Sequence, residues 1–274
     1  MKANIVRLVA GVTGLLSLAA HASCLTTPPS SVIDLAHWKL TLPIDADGGT
    51  TGEAAEVATE SLTSGYRSGY FCVEPSGAVK FWAPVNGATT DGSEYPRSEL
   101  RYVIDPDDDN DNWIADRDDA GLSSHLVVER VPASTQKVVV GQIHGFQTNA
   151  FIKLRYQYNP TTHTANVAAL VNESPSASNS TNYGSIGGLT NGVPFTYSIS
   201  VQNRVITIKV NGQVLTSFHI QSGWLHVPMY FKAGTYDQAS GSSGTDGGRV
   251  AFSQLSAWTR ATAGADAIFV DGLE

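Results

Sequence analysis

A two-residue turn between two alternating segments is the feature that most limits how this chain can fold. From Tyr197 to Ile220, apolar and polar residues alternate with period two, the pattern of half-buried β-strands. Asn211-Gly212 interrupts this alternation, and the pair favours a type I′ turn between neighbouring antiparallel strands. Similar short segments recur along the chain, and none has the period of a long amphipathic helix. The sequence therefore predicts an all-β fold, a jelly-roll sandwich of two antiparallel sheets with a concave groove.

The chain is expected to contain one domain between two shorter segments. Residues 1–22 have the pattern of a secretory signal peptide, with Lys2 and Arg7 ahead of an apolar run and a small-residue cleavage site at its end. Residues 23–260 are enough for one large all-β domain, and residues 261–274 are expected to form a C-terminal tail. The predicted location is secreted or periplasmic, with a lipoprotein acylated at Cys24 as the alternative.

Charge and cysteine content narrow the choice of partners. The formal net charge of −8 argues against a nucleic-acid partner, although a local basic groove could still bind a polyanion. No apolar run beyond the N-terminal one approaches membrane length, so no membrane partner is expected after cleavage. The two cysteines, Cys24 and Cys72, could form a disulfide in an exported protein. Two free thiols, or one lipidated cysteine, remain as alternatives.

Three predicted strands carry hydrogen-bond donors on one face and apolar side chains on the other. In each segment taken alone, such a face is an ordinary solvated surface. Together, the three predict a groove that holds an anion. The polar faces consist of Tyr230, Lys232, Tyr236 and Gln238 in YFKAGTYDQ, Arg97, Glu99 and Arg101 in RSELR, and Gln142 and His144 in QIH.

RSELR, QIH and YFKAGTYDQ, in this order, resemble the three signature motifs of polysaccharide lyase family 7, the alginate lyases. WKLTLP and RVAFSQL resemble the terminal strands of that family, so the resemblance covers essentially the whole mature chain. It implies that alginate is depolymerised by β-elimination at the 1,4-glycosidic bond, giving unsaturated uronate oligosaccharides. An endo-acting monomer is expected. No metal or cofactor is expected either, since the histidines lack metal-ligand spacing.

β-Elimination on a uronate requires three chemical tasks, and the motifs contain residues suited to each. The sugar carboxylate must be neutralised, the C5 proton must be removed by a base, and the departing oxygen must be protonated by an acid. Arginine binds carboxylates through two nitrogens, histidine is largely neutral near pH 7, and tyrosine remains protonated there. By resemblance, Arg97 and Gln142 neutralise the carboxylate, His144 is the base and Tyr236 is the acid. The substrate-binding set is Arg101, Tyr230, Lys232, Gln238 and Glu99, of which Glu99 orients the two arginines rather than reacts.

The resemblance also bears on which uronate is accepted. Ile143 in the QIH motif resembles members that accept guluronate-containing blocks, whereas valine accompanies mannuronate preference. For guluronate the histidine is the base and the tyrosine the acid, while for mannuronate the tyrosine can serve in both roles.

Other readings of the chain remain. A glycoside hydrolase would need two carboxylates around the scissile bond, and no strand face clusters them. A non-catalytic carbohydrate-binding jelly roll and a lyase for another uronate polymer are the further alternatives. The eight aspartates between Asp105 and Asp119 predict a solvated loop, with a calcium site as the alternative, although their spacing is not that of an EF-hand.

Overall fold

Two antiparallel sheets make up most of residues 24–262, the part of the chain that the computed structural model describes. The predicted signal peptide, residues 1–22, and the predicted tail beyond Thr262 lie outside the described residues. The all-β jelly-roll prediction is confirmed, since the described part has one five-residue α-helix, α1 (Thr59–Thr63), and two 3₁₀ turns (Pro29–Ser31 and Ser222–Trp224). The strands are β1 (Trp38–Thr41), β2 (Glu56–Val57), β3 (Phe71–Val73), β4 (Val79–Pro84), β5 (Arg97–Tyr102), β6 (Trp113–Ile114), β7 (Asp118–Arg130), β8 (Lys137–Gly145), β9 (Ala150–Asn159), β10 (Thr164–Val171), β11 (Thr181–Leu189), β12 (Phe195–Gln202), β13 (Val205–Val210), β14 (Gln213–His219), β15 (Pro228–Asp237) and β16 (Gly247–Ala261).

Strands distant in the sequence lie side by side in both sheets. The first sheet has the order β11-β10-β9-β8-β15-β5-β1-β2, with β6 paired to β15. The second has the order β14-β13-β12-β7-β16-β4-β3. The three predicted motif segments form β5, β15 and β8, which are neighbours at the centre of the first sheet. The sheet order therefore brings the three polar faces together.

Period-two alternation gives each central strand an apolar face toward the core. Leu100 on β5, Ile143 on β8, and Phe231 and Ala233 on β15 are fully buried, as the sequence predicts. They belong to one continuous apolar cluster that fills the space between the sheets. Because burial fixes which face of each strand points inward, it also fixes the polar residues on the opposite face.

The predicted hairpin is confirmed, and a second one of the same kind precedes it. Asn211 and Gly212 have φ angles of 49° and 76°, and the flanking Val210 and Gln213 are paired, as a type I′ turn requires. Asn203 and Arg204 also have positive φ angles, 50° and 64°, between β12 and β13. The second turn was not predicted, because Asn-Arg lacks the glycine that usually marks this geometry.

Two segments differ from the sequence prediction. The polar composition of Asn172 to Asn182 predicts a flexible loop, yet strand β11 begins at Thr181 within this stretch and continues to Leu189. The aspartate-rich stretch, expected to be a loop throughout, contains β6 and the first two residues of β7. In both segments, pairing with a neighbouring strand outweighs a composition that is poor in strand-forming residues.

A disulfide joins Cys24 to Cys72, with 5.6 Å between the Cα atoms. Cys72 is a buried residue of β3, so the bond ties the first described residues to the edge of the second sheet. Neither thiol is left free. No helix in the described part of the chain is long and apolar enough to cross a membrane.

Candidate active site

Strand register brings the polar residues of the three motifs together on one face of the first sheet. Arg101 on β5 is opposite Lys232 on β15, and Lys232 is opposite Gln142 on β8. Along β15, Tyr236 is paired with Arg97 and Tyr230 with His144. Directly opposed residues in an antiparallel pair point to the same face. The predicted catalytic residues therefore line one groove, with His144 and Tyr236 toward opposite ends of it.

Gly234 makes this register possible where β15 pairs with β5. It has a φ of 149°, and a Cβ at this position would lie 2.5 Å from the carbonyl oxygen of Ser98. The pairing of β15 with β8 shifts register between Ala233 and Tyr236. The glycine thus allows the two strands to approach closely at a bulge, which re-aims the strand just before Tyr236.

Glu99 is the centre of the buried polar cluster. Its carboxylate accepts hydrogen bonds from Nζ of Lys232 (2.9 Å), Nη1 of Arg97 (3.2 Å) and Nε2 of Gln142 (2.5 Å). Burial alone would raise the pKa of Glu99, but Lys232 and Arg97 outweigh that effect and hold the pKa below its usual value. Since the side chain is 0% exposed, Glu99 orients the three donors from beneath and does not face a sugar directly.

Arg97 and Tyr236 form a stacked pair that is held by a loop residue. The guanidinium carbon of Arg97 lies 4.0 Å from the centroid of the Tyr236 ring. Ser93, in the loop before β5, accepts a hydrogen bond from Nη2 of Arg97 (2.7 Å) and lies 3.3 Å from the Tyr236 hydroxyl. Sequence reasoning missed Ser93, because a serine in a Gly/Ser loop gives no signal of its own.

His144 is held in its neutral form. Its Nδ1 lies 2.9 Å from the carbonyl oxygen of Gly145, which accepts a hydrogen bond from it in the neutral ring, so Nε2 is the basic nitrogen. The Tyr230 ring stacks on the imidazole at 5.3 Å. Burial lowers the pKa of His144 to about 4, and the charges of Lys232 and Arg97 add to the shift. The imidazole is therefore uncharged at neutral pH, with its one ring proton on Nδ1.

The other predicted substrate-binding residues already form hydrogen bonds or stacking contacts within the protein. Arg101 donates to Oδ1 of Asp109 (2.7 Å) and stacks on Tyr230, with 4.4 Å from its guanidinium carbon to the ring centroid. Asp109 belongs to the aspartate-rich stretch, so that stretch holds a groove residue in place. Gln238 donates to the carbonyl oxygen of Asp237 (2.7 Å) and lies just beyond the end of β15. Burial and the charge of Arg97, opposed by Glu99, together lower the pKa of Lys232 to about 8.

Two cations on β9 extend the groove, and sequence reasoning missed them. Lys153 is opposite Gln142, and Arg155 is opposite Val139. Neither has a carboxylate within ion-pair distance among residues 24–262. Burial lowers the pKa of Lys153, and Arg97 adds to the effect. The alternation in FIKLRYQY is the signal that could have found both residues, since their face carries the same kind of donors as the three motifs.

The groove is cationic although the chain is acidic overall. Glu99 balances part of the charge of Arg97 and Lys232, and Asp109 is shared between Arg101 and Lys39. Lys153 and Arg155 add positive charge, and neither forms an ion pair with a carboxylate among residues 24–262. Within residues 24–262, no group of three or more histidine, cysteine, aspartate or glutamate side chains is arranged to hold a metal ion.

A jelly roll with a buried cationic cluster, a neutral histidine and a tyrosine in one groove defines a class of enzyme, the polysaccharide lyases that act on uronate polymers. A family model described as alginate lyase matches residues 33–258, which is most of the chain. The chain belongs to this family, the alginate lyases of polysaccharide lyase family 7.

Solved and curated relatives agree with this assignment. An alginate lyase from Pseudomonas aeruginosa is 34% identical in sequence and has a TM-score of 0.74, over 83% of this chain and 100% of that one. Alginate lyase A1-II′, a member of polysaccharide lyase family 7, is 30% identical with a TM-score of 0.74, over 85% of this chain and 98% of that one. A curated alginate lyase from Klebsiella pneumoniae is 26% identical over 77% of this chain and 84% of its own length.

Proposed function

We propose that this alginate lyase cuts within alginate chains and accepts guluronate-containing blocks, with Arg97, Gln142, His144 and Tyr236 as its catalytic residues. The observation that carries the proposal is a neutral histidine at one end of a buried cationic cluster and a tyrosine at the other. A1-II′ has been solved with a substrate, GGMG, and with a product, GGG, which supports an alginate oligosaccharide as the ligand of this groove.

Arg97 and Gln142 neutralise the carboxylate of the sugar that is cut. Both donate to Glu99, which fixes their direction, and Arg97 also donates to Ser93. The N–H groups not used in these bonds are the ones that would bind the sugar carboxylate. Placing donors where charge develops stabilises the enolate-like anion formed when the C5 proton leaves. Lys232, bonded to the same carboxylate, adds positive charge to this position.

His144 and Tyr236 divide the proton transfers. Nε2 of His144 takes the C5 proton, and the electrons of the C5–H bond form the C4–C5 double bond. The C4–O bond breaks, and the departing oxygen takes the proton of the Tyr236 hydroxyl. The cation–π contact between Arg97 and the Tyr236 ring holds the acid beside the group that neutralises the carboxylate. Glu99 is buried and bonded to three donors, so it is unsuited to act as the acid of a glycoside hydrolase.

The extent of the cationic groove supports cutting within a chain. Cations lie on β1, β5, β15 and β9, which with β8 between them are five successive strands of the first sheet. At about 4.8 Å between strands, the charged row spans roughly 19 Å. Such a row can bind uronates on both sides of the scissile bond. The proposal that guluronate is accepted depends on Ile143, as in the family members that it resembles. Ile143 is fully buried behind the groove, so it can influence the substrate only through the position of the strand that carries Gln142 and His144.

Ultraviolet absorbance during incubation with polyguluronate and polymannuronate tests the proposed function. β-Elimination leaves a conjugated double bond at each new non-reducing end, so absorbance should rise with polyguluronate as the substrate. Viscosity should fall early, before many double bonds have formed, if the enzyme is endo-acting. A rise on polymannuronate alone would refute the acceptance of guluronate, and viscosity that falls only in proportion to product would refute endo action.

Two pairs of variants test the catalytic assignments. His144→Asn and Tyr236→Phe should abolish most turnover while alginate still binds. His125→Asn and Tyr158→Phe are the matched controls, since His125 hydrogen-bonds Ser253 on the second sheet and Tyr158 contacts His163 near the end of β9. Parallel loss of binding and turnover would instead favour a carbohydrate-binding module. Near-normal turnover in either groove variant would remove that residue from the mechanism.

Export of a monomeric enzyme is part of the same proposal. The N-terminal pattern of residues 1–22 fits a secretory signal, and the Cys24–Cys72 disulfide fits an oxidising compartment. Cell fractionation with N-terminal sequencing of the mature protein tests the location, and light scattering tests the monomer. Protein retained in the cytosol with Met1 intact would refute export.

A further inference from the structure

Asp237 is a fully buried carboxyl group that the proposed mechanism does not use. It is the last residue of β15 and follows Tyr236 directly. Tyr236 faces the groove, whereas Asp237 is 0% exposed and points between the sheets. Its carboxyl lies against Gly248 on β16, where a Cβ would collide with Oδ1. The absence of a side chain at Gly248 therefore creates the space that Asp237 fills.

The surroundings of this carboxyl are those of an uncharged group. Neither oxygen has a hydrogen-bond partner of good geometry among residues 24–262, although the nearby backbone amide of Gly248 partly opposes the effect of burial on the pKa of Asp237. The methyl groups of Val138 and Thr235 line the same space, since both would touch a Cβ on Gly248. Burial raises the pKa of Asp237 well above its usual value, and the nearby Asp246 adds to the shift.

None of the charged groups on the elements packed against Asp237 offsets a negative charge there. Asp246, in the loop before β16, lies 3.8 Å from Arg130 and is itself an acid. Arg249 on β16 pairs with Glu129. On the first sheet, Arg97 of β5 is on the groove face, bonded to Glu99 and Ser93, and Lys137 is the charged residue of β8 next to Val138. None of these cations forms an ion pair with Asp237 in the described part of the chain.

Backbone contacts join Asp237 to the position of Tyr236. The amide of Asp237 donates to the carbonyl oxygen of Pro96 (3.1 Å), immediately before Arg97. Asp237 is also paired with Val138 on β8. On its other side, Tyr236 follows the bulge at Gly234, where pairing with β8 is interrupted. Tyr236 itself is paired with Arg97 on β5 and with Val139 on β8, and Asp237 is the contact that fixes the strand on its C-terminal side.

We propose that Asp237 is a positioning residue that remains an uncharged carboxylic acid in the folded enzyme and, packed against Gly248, fixes the end of β15 so that Tyr236 points into the groove. This inference rests on the proposed role of Tyr236. An ionised carboxylate at this position would have no counter-charge and would favour displacement of the strand end toward water. The neutral acid fills the same space without the free-energy cost of burying an unpaired charge.

Asp237→Asn and Asp237→Ala test the proposal. Asparagine keeps the shape and cannot ionise, so its kcat should stay within about twofold of wild type at neutral pH. Alanine leaves a void under the strand end, so kcat should fall about tenfold or more while KM stays within about twofold, because the carboxylate-binding residues are untouched. If the alanine variant does not fold, Asp237→Thr, which retains a hydroxyl in a smaller volume, replaces it with the same expectation.

Melting temperature against pH tests the uncharged state separately from catalysis. A carboxyl whose pKa is raised by folding retains its proton in the native state and loses it in the unfolded state, so stability falls as pH rises above about 4. The asparagine variant cannot ionise, so its stability does not fall with pH for this reason. Its melting temperature should therefore exceed that of wild type by a margin that grows between pH 5 and 8. Asp107→Asn is the control: Asp107 is an exposed aspartate of the aspartate-rich stretch, distant in the sequence from Asp237, and this variant should show no such growing gain.

An asparagine variant that is less stable than wild type at every pH would overturn the uncharged state, because it would indicate an ionised and partnered carboxylate. Unchanged kcat in the alanine or threonine variant would overturn the positioning role. If Tyr236→Phe remained active, the proposed function would fail at Tyr236, yet the stability margin of Asp237→Asn would still be measurable. The failures of the two proposals are therefore distinguishable.

Discussion

Replacing Glu99 by glutamine is the most informative single change in the groove. The carboxylate accepts hydrogen bonds from Arg97, Lys232 and Gln142, and its side chain is 0% exposed. Glutamine retains the shape but removes the charge, so two buried cations lose their counter-ion. Removing one partner of a buried ion pair costs about 3–5 kcal/mol. For a domain of this size, that corresponds to a fall in Tm of roughly 6–20 °C.

The loss should depend on pH in a defined direction. Burial already lowers the pKa of Lys232 to about 8, and without Glu99 it falls further. A lysine whose pKa is lowered by folding makes the native state less stable at low pH, where the unfolded state is protonated. The destabilisation of Glu99→Gln should therefore shrink between pH 6 and 9, as Lys232 releases its proton.

Asp109→Asn is the matched control for this prediction. Asp109 also holds two cations, with 2.7 Å to Nζ of Lys39 and 2.7 Å to Nη1 of Arg101, but its side chain is 44% exposed. Solvent screening limits such pairs to about 1 kcal/mol. Thermal melts of both variants between pH 6 and 9 measure the difference. In turnover assays, Glu99→Gln should lower kcat about a hundredfold through misplaced donors without raising KM. Equal melting temperatures for the two variants would refute the idea that burial makes Glu99 the anchor of the cluster.

Three further predictions follow from the site and the disulfide. The pKa of His144 is lowered to about 4, and its neutral ring is the proposed base. The value of kcat/KM should therefore stay high as the pH falls through 6 and decline only near pH 4. A decline of kcat/KM centred near pH 6.5 would contradict this. Lys153→Ala should raise KM with little change in kcat and weaken its salt dependence, whereas Lys209→Ala, an exposed cation on the second sheet, should do neither. Replacing both Cys24 and Cys72 by serine should lower the free energy of unfolding by roughly 4 kcal/mol, because the disulfide closes a loop with a sequence separation of 48. Urea unfolding measures this difference. A loss below about 1 kcal/mol would show that other contacts hold the N-terminal arm.

The strands of the site could be predicted from the sequence because period two is a local property. Alternation predicts strands over the segments TANVAALV, KVVVGQIHGF and YFKAGTYDQ. Strand β10 has the bounds of the first segment, and β8 and β15 differ from the other two by one or two residues at an end. Alternation alone separates Leu100 from Arg101 and Ile143 from Gln142. The predicted polar faces are therefore the observed ones.

Properties that depend on neighbouring strands could not be predicted in the same way. Alternation does not reveal that Glu99 is fully buried under its three donors, since that follows from the order of β5, β15 and β8 in the sheet. Strand β11 is rich in glycine, serine and asparagine, and it forms because the edge of β10 offers hydrogen bonds to pair with. The engagement of Arg101 by Asp109 likewise depends on where a loop folds back.

The cations of the groove act on the substrate and on the base at once. Burial is the main cause of the low pKa of His144, and the positive charges of Lys232 and Arg97 lower it further. These charges are also the ones that attract a sugar carboxylate. A carboxylate bound against them cancels part of their field at the imidazole, so the basicity of His144 rises on binding. In the proposed mechanism, the free enzyme therefore holds its base neutral over a wide pH range, and the bound substrate strengthens that base at the step where the C5 proton is removed.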